Sequence, residues 1–146
     1  MKLHRRWPRL LTALVALALA LIPAGVRAHD LMPALLELDQ TGAERVEVLW
    51  RRPVVQGQPL ALTPVLPDRC RPQGPPREEL RPRALLVRST LRCRGGLHGQ
   101  PVAIEGLGAS GTDVLLRWRL PGGPWSSRLL QAGAPSARLL AAGGGA

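Results

Sequence analysis

Residues 36–51 read LELDQTGAERVEVLWR and contain two stretches in which apolar and charged residues alternate. In residues 36–39, leucine alternates with an acidic residue, and in residues 45–51, valine and Trp50 alternate with arginine and glutamate. Successive side chains of a strand point to opposite faces, so each stretch predicts a strand with one buried face. The turn residues 41–43 between them predict a β-hairpin.

Further extended runs follow the hairpin, separated by turns rich in proline and glycine. Residues 68–82 are rich in proline, arginine and glutamate and predict a long surface loop. The pattern predicts an all-β fold, an antiparallel immunoglobulin-like β-sandwich of about seven strands, with a small barrel as the alternative. The further runs are residues 60–66, 85–93, 102–104, 114–120 and 126–130.

The candidate core contains neither phenylalanine nor tyrosine. Trp50 and Trp118 occupy the apolar positions of their alternating runs, so they are expected to be the large core side chains. Trp125 is expected to lie in a turn and to be exposed.

The first 28 residues have the features of a secretion signal. Four basic residues precede an apolar run over residues 10–22, which is shorter than the roughly 20 residues of a membrane span. Val26 and Ala28 are small residues at positions −3 and −1 of a cleavage site, so the mature chain is expected to begin at His29. An uncleaved N-terminal anchor is the alternative.

Cleavage gives a signal peptide (1–28), a β-sandwich domain (29–131) and an Ala/Gly-rich tail (132–146) that we expect to be frayed. The mature protein is predicted to be periplasmic or secreted, without stable membrane insertion.

The mature chain carries 15 arginines, no lysine and 10 acidic residues, which gives a net charge of +5. The arginines are scattered and are not interleaved with aromatic residues, so the composition argues against a nucleic-acid partner.

No G-x-S-x-G motif is present, and the adjacent Glu78 and Glu79 lie in the proline-rich segment. The sequence therefore predicts a protein that is not an enzyme.

Cys70 and Cys93 are the two cysteines of the chain. An even number of cysteines after a secretion signal predicts a disulfide. The chain-entropy model assigns it a stabilisation of roughly 3 kcal/mol, given the length of the loop that it closes. A metal or redox pair is the alternative, but the wide spacing fits neither a zinc knuckle nor a C-x-x-C motif.

The predicted mature N-terminus suggests a metal site. His29 would offer an α-amine and an imidazole nitrogen, a pair that suits Cu(II) or Ni(II). Asp30 and His98 are the further candidate ligands. The alternative is that His29 simply follows the cleavage site and that His98 is a solvated turn residue.

Segments spread over nearly the whole mature chain resemble, in the expected order, the exported N-terminal domain of HupE/UreJ family proteins. The quoted pieces are AHDLMPA (28–34), EL (37–38), VLW (48–50), LPDRC (66–70), GPPR (74–77), CRGGL (93–97), IEGL (104–107), TDVL (112–115) and APS (134–136).

Long members of that family continue from this domain into a polytopic membrane domain linked to nickel or cobalt uptake and to hydrogenase or urease maturation. The resemblance therefore implies an interaction or accessory module for metal handling at the membrane, with an inner-membrane metal-transport protein as the expected partner. The transport residues of the family have no counterpart in this sequence. The alternative function is a soluble periplasmic copper- or nickel-binding protein that uses His29.

The metal hypothesis predicts that protein exported to a bacterial periplasm starts at His29 and binds one Cu(II) or Ni(II) per chain. A His29→Ala variant should lose this binding, because the imidazole of the amine–imidazole pair is removed. Intact mass spectrometry combined with metal titration checks both points. Unchanged affinity in the variant would exclude His29 as a ligand.

Overall fold

A computed structural model describes residues 32–143, and the predicted signal peptide, the cleavage site and residues 144–146 lie outside this range. The described chain is all-β, as the sequence predicts, with eleven strands and one short helix. The elements are β1 (Ala34–Gln40), β2 (Arg45–Val55), β3 (Gln58–Pro59), β4 (Thr63–Val65), β5 (Cys70–Pro72), β6 (Arg77–Arg81), β7 (Ala84–Cys93), β8 (Pro101–Glu105), α1 (Leu107–Ser110), β9 (Val114–Arg119), β10 (Trp125–Leu130) and β11 (Ser136–Arg138).

The larger sheet has the strand order β10-β9-β1-β2-β7-β5, with β3 also paired to β2 and β6 also paired to β7. β1 pairs with β2 in the predicted antiparallel hairpin, but its other edge pairs with β9 in parallel. The expectation of a purely antiparallel arrangement is therefore wrong at this pairing. β7 runs in the same direction as β1, because each is antiparallel to β2. The chain then passes through β8 of the smaller sheet before it enters β9, so β9 can also run in the direction of β1.

The smaller sheet is antiparallel, with the order β11-β8-β4. Buried side chains of both sheets form one hydrophobic core, in which Leu36 and Leu116 from the larger sheet and Val102 and Ile104 from β8 take part. Such two-sided packing is how sheets bury their apolar faces. Trp50 and Trp118 are also in this core, as the sequence predicts.

Residues 68–82 lie at the surface, as their composition predicts, but they form two strands and not one long loop. β5 and β6 both pair antiparallel with β7, and all five side chains of β6 are exposed. Because the backbone of β7 supplies the hydrogen bonds, β6 forms a strand without any apolar alternation. Its charged residues are typical of a sheet edge that must not pair with other chains.

Cys70 and Cys93 form the predicted disulfide between β5 and β7. The two cysteines lie directly opposite each other in the strand register, with their Cα atoms 3.9 Å apart. Cys93 is fully buried. The disulfide therefore fastens the three-residue strand β5 to the edge of the long strand β7.

The C-terminal segment belongs to the fold, although its composition predicts a frayed tail. β11 pairs with β8, and the backbone amide of Leu139 donates to the carbonyl of Gln100 at 2.9 Å. Ala137 and Leu139 are buried in the core. Burial of these two apolar side chains stabilises a segment whose Ala/Gly-rich sequence has little preference for regular structure.

The described residues contain no helix with the length and apolar character needed to cross a bilayer. Their one helix, α1, follows Gly106, which has a φ of 88° and lies against the backbone of the segment before β4. A Cβ atom at Gly106 would lie 2.2 Å from the carbonyl oxygen of Ala61.

We therefore expect Gly106→Ala to lower the free energy of unfolding by about 3 kcal/mol or more, since it adds a backbone clash to an unfavourable φ. Gly108→Ala is the matched control, because a Cβ atom there would meet nothing within 4 Å. Urea denaturation of both variants measures the difference. Equal stability of the two variants would contradict this account of the turn.

Candidate functional site

One face of the larger sheet points away from the core, and we call it the outer face. Alternate residues of β1 and β2 lie on it, and they include three half-buried carboxylates, those of Glu37, Asp39 and Glu47. Asp39 and Glu47 are directly opposite in the strand register. Like charges in that position destabilise a sheet unless neighbouring groups compensate them.

The neighbouring strand β9 supplies two compensating arginines. The parallel register places Arg117 opposite Glu37 and Arg119 opposite Asp39. Arg117 Nη1 lies 3.0 Å from Glu37 Oε2, and Arg119 binds both carboxylate oxygens of Asp39, with its Nε 2.8 Å from Oδ1. Hydrogen bonding to Asp39 raises the pKa of Arg119. Two ion pairs therefore connect β1 to β9 across the outer face.

Trp125 completes this cluster from β10. The guanidinium carbons of Arg117 and Arg119 each lie 4.8 Å from the centre of its ring. The ring is half-buried, so the expectation of an exposed turn residue is wrong. Trp125 is the first residue of β10 and lies directly opposite Arg119, which brings its ring over the two arginines.

The third carboxylate is held from the other side. Thr90 Oγ1 on β7 donates a hydrogen bond to Glu47 Oε2 at 2.8 Å, and Arg45 Nε donates to Oε1 at 2.8 Å. All three carboxylates thus accept hydrogen bonds from arginine or threonine. This arrangement fixes the orientation of the three carboxylates at the surface.

A groove of about 640 Å³ lies beside these groups on the outer face. Leu49, which is half-buried, contributes an apolar surface between Glu37 of β1 and Arg88 of β7. Residues of the connection between β5 and β6 form one wall. The lining residues are Glu37, Asp39, Glu47, Val48, Leu49, Gln73, Pro75, Pro76, Arg77, Arg88, Ser89 and Thr90.

The candidate metal ligands are not brought together in the described structure. His29 and Asp30, like the cleavage residue Ala28, lie outside residues 32–143, and His98 is an exposed residue of the turn after β7. Within residues 32–143 no group of three or more histidine, cysteine, aspartate or glutamate side chains is arranged to hold a metal ion. The copper or nickel site at His29 stays a prediction.

Sequence reasoning did not identify the groove. The alternating pattern does place Glu37, Asp39 and Glu47 on the polar faces of their strands. It gives no sign that β9 lies beside β1, which is what joins the carboxylates to Arg117 and Arg119. The sequence also does not predict the wall of the groove between β5 and β6, because the composition of that segment is typical of a loop.

No protein-family model matches this chain, and no curated protein matches it at a significant level.

The cluster around Trp125 gives a stability prediction. We expect Trp125→Leu to lower the free energy of unfolding by about 1 kcal/mol, because it removes two cation–π contacts at a partly exposed site. Ser127→Ala, at an exposed position of the same strand, is the control and should change stability far less. Denaturant unfolding of the two variants is the measurement. A loss no greater than that of the control would show that the stacking contributes nothing.

Proposed function

We propose that the chain is an exported, non-enzymatic interaction module with an immunoglobulin-like sandwich architecture. Its outer-face groove binds a membrane-embedded protein that handles nickel, cobalt or another metal. The observation that carries the proposal is the composition of the groove: the apolar side chain of Leu49 lies beside three carboxylates, those of Glu37, Asp39 and Glu47, that arginine or threonine already holds.

The groove has the features of a recognition surface. Protein interfaces commonly combine an apolar centre with a polar rim whose groups form hydrogen bonds. Glu37 and Glu47 are held by arginine and threonine, so they can orient a partner's polar groups without large rearrangement. Carboxylates engaged in this way suit binding better than proton transfer to a substrate.

The location and the kind of partner in this proposal are inferred from the sequence. The signal-like residues 1–28 favour a periplasmic or secreted mature chain. The resemblance to the exported domain of HupE/UreJ proteins favours a partner that transports metal across the inner membrane. In the long family members this domain and the membrane part belong to one chain, which favours association between two such parts.

The direct test is co-expression of the exported chain with the polytopic membrane protein of a neighbouring reading frame. We expect the two proteins to co-purify in detergent and to increase nickel or cobalt uptake when present together. A genome without such a reading frame nearby, or two proteins that purify separately, would contradict the proposal.

A variant pair locates the contact. Leu49→Ser should weaken the complex at least tenfold, because burial of a leucine side chain is worth roughly 1.5–3 kcal/mol. Leu129→Ser is the matched control, since Leu129 is 48% exposed and does not line the groove. Binding isotherms of both variants to the purified partner measure the change. Equal effects of the two substitutions would exclude the groove as the contact site.

A further inference from the structure

Four arginines flank the disulfide: Arg71 and Arg92 lie on the two strands that it joins, and Arg69 and Arg94 lie in the turns next to them. Arg69 and Arg71 are the neighbours of Cys70, and Arg92 and Arg94 are the neighbours of Cys93. All four are exposed. Together with Asp68 they line a cleft of about 220 Å³, separate from the residues that line the groove.

The strand register forces positive charges to face each other. Arg71 lies directly opposite Arg92 across the β5–β7 pair, and Arg92 lies directly opposite Arg45 across the β7–β2 pair. Three guanidinium-bearing residues are thus in line on adjacent strands. Like charges directly opposite each other destabilise a sheet unless other groups compensate them. Glu47 pairs with Arg45 and Glu44 pairs with Arg92, which leaves Arg71 as the arginine of this line that a bound anion would compensate.

Few carboxylates compensate this charge. Within residues 32–143, Arg92 forms an ion pair with Glu44 at 2.8 Å, whereas Arg69, Arg71 and Arg94 form no ion pair with a carboxylate. Hydrogen bonding from Arg92 lowers the pKa of Glu44, with Arg94 as a weaker electrostatic cause. The local field at this corner is therefore positive.

Backbone contacts hold two of the guanidinium groups in place. Arg69 Nη1 donates to the carbonyl of Arg94 at 3.4 Å, and Arg71 Nη1 donates to the carbonyl of Cys70 at 3.0 Å. Gly95, with a φ of 73°, leaves room for the first contact, because a Cβ atom there would lie 3.1 Å from Arg69 Nη1. Their remaining N–H groups are free to bind a ligand, since each guanidinium has five donors.

We propose that Arg69, Arg71, Arg92 and Arg94 form a binding site for a phosphate-bearing anion, assembled across the Cys70–Cys93 disulfide. Arginine is suited to this ligand because its planar N–H groups can bind two phosphate oxygens at once. The ligand is a free phosphate compound or a phosphorylated lipid headgroup, which share the same chemistry. This site is independent of the partner proposed for the groove.

The first experiment titrates the oxidised mature protein with inorganic pyrophosphate and, separately, with phosphatidylcholine vesicles that contain phosphatidic acid. We expect binding that weakens as salt is added, because exposed charges are screened. Binding of pyrophosphate without vesicle binding identifies a free phosphate compound, and vesicle binding alone identifies the headgroup. Binding to neither probe, or equal binding to vesicles of phosphatidylcholine alone, would overturn the proposal.

Charge-matched variants show whether the cleft itself binds. Arg71→Gln combined with Arg94→Gln should weaken binding at least tenfold. Arg83→Gln combined with Arg128→Gln removes the same charge from exposed positions elsewhere and should change it less than twofold. Lysine at positions 71 and 94 should restore only part of the affinity, since lysine keeps the charge without the bidentate geometry. Equal losses in the two glutamine pairs would show diffuse attraction and would overturn the site.

The disulfide provides a second readout. Reduction should weaken pyrophosphate binding, because β5 carries Arg71 and is fastened to β7 by Cys70 and Cys93. Circular dichroism of the reduced protein, and a Cys70→Ala/Cys93→Ala variant, separate this effect from unfolding. If the reduced protein is folded and binds with unchanged affinity, the assembly of the site across the disulfide is wrong.

Discussion

β1 has hydrogen-bonded neighbours on both edges, and the arrangement of the larger sheet depends on this. Its residues alternate between buried and half-buried along all seven positions, so one register error would place leucines in solvent and carboxylates in the core. The antiparallel pairing with β2 positions Glu37 and Asp39 beside Glu47. The parallel pairing with β9 then brings Arg117 and Arg119 to the same carboxylates, which relieves the repulsion among them.

The end of β1 is fixed by a buried polar side chain. Gln40 is 6% exposed, and its Nε2 donates to the carbonyls of Gly42 and Ala43 at 3.0 and 2.9 Å. Its Oε1 accepts a hydrogen bond from the backbone amide of Leu97 at 2.9 Å. Because all these groups have partners, the buried amide joins the β1–β2 turn to the turn after β7 without an unsatisfied donor. Cys93 of the disulfide ends β7 just before that turn, so a covalent bond and polar contacts constrain the same part of the fold.

The two proposed binding regions use different physical properties of one sheet. The groove combines Leu49 with carboxylates that already have partners, and this combination favours a protein partner of complementary shape. The arginine cleft has more positive charge than its surroundings neutralise, and this excess favours a small anion. Both include residues of β7, beside the edge segment that its composition predicts to be a loop and that is instead part of the sheet.

The sequence by itself determined the β class, the main strands, the two buried tryptophans and the disulfide, because period-two alternation, turn residues and cysteine count are local signals. It did not determine that β9 returns parallel to β1, that residues 68–82 extend the sheet, or that Ala137 and Leu139 enter the core. These features depend on backbone hydrogen bonds and burial between segments, and the residue pattern within each segment does not show which other segment it pairs with or packs against. The same reason applies to both candidate sites: alternation shows which side chains point outward, but only strand order and register decide which of them become neighbours.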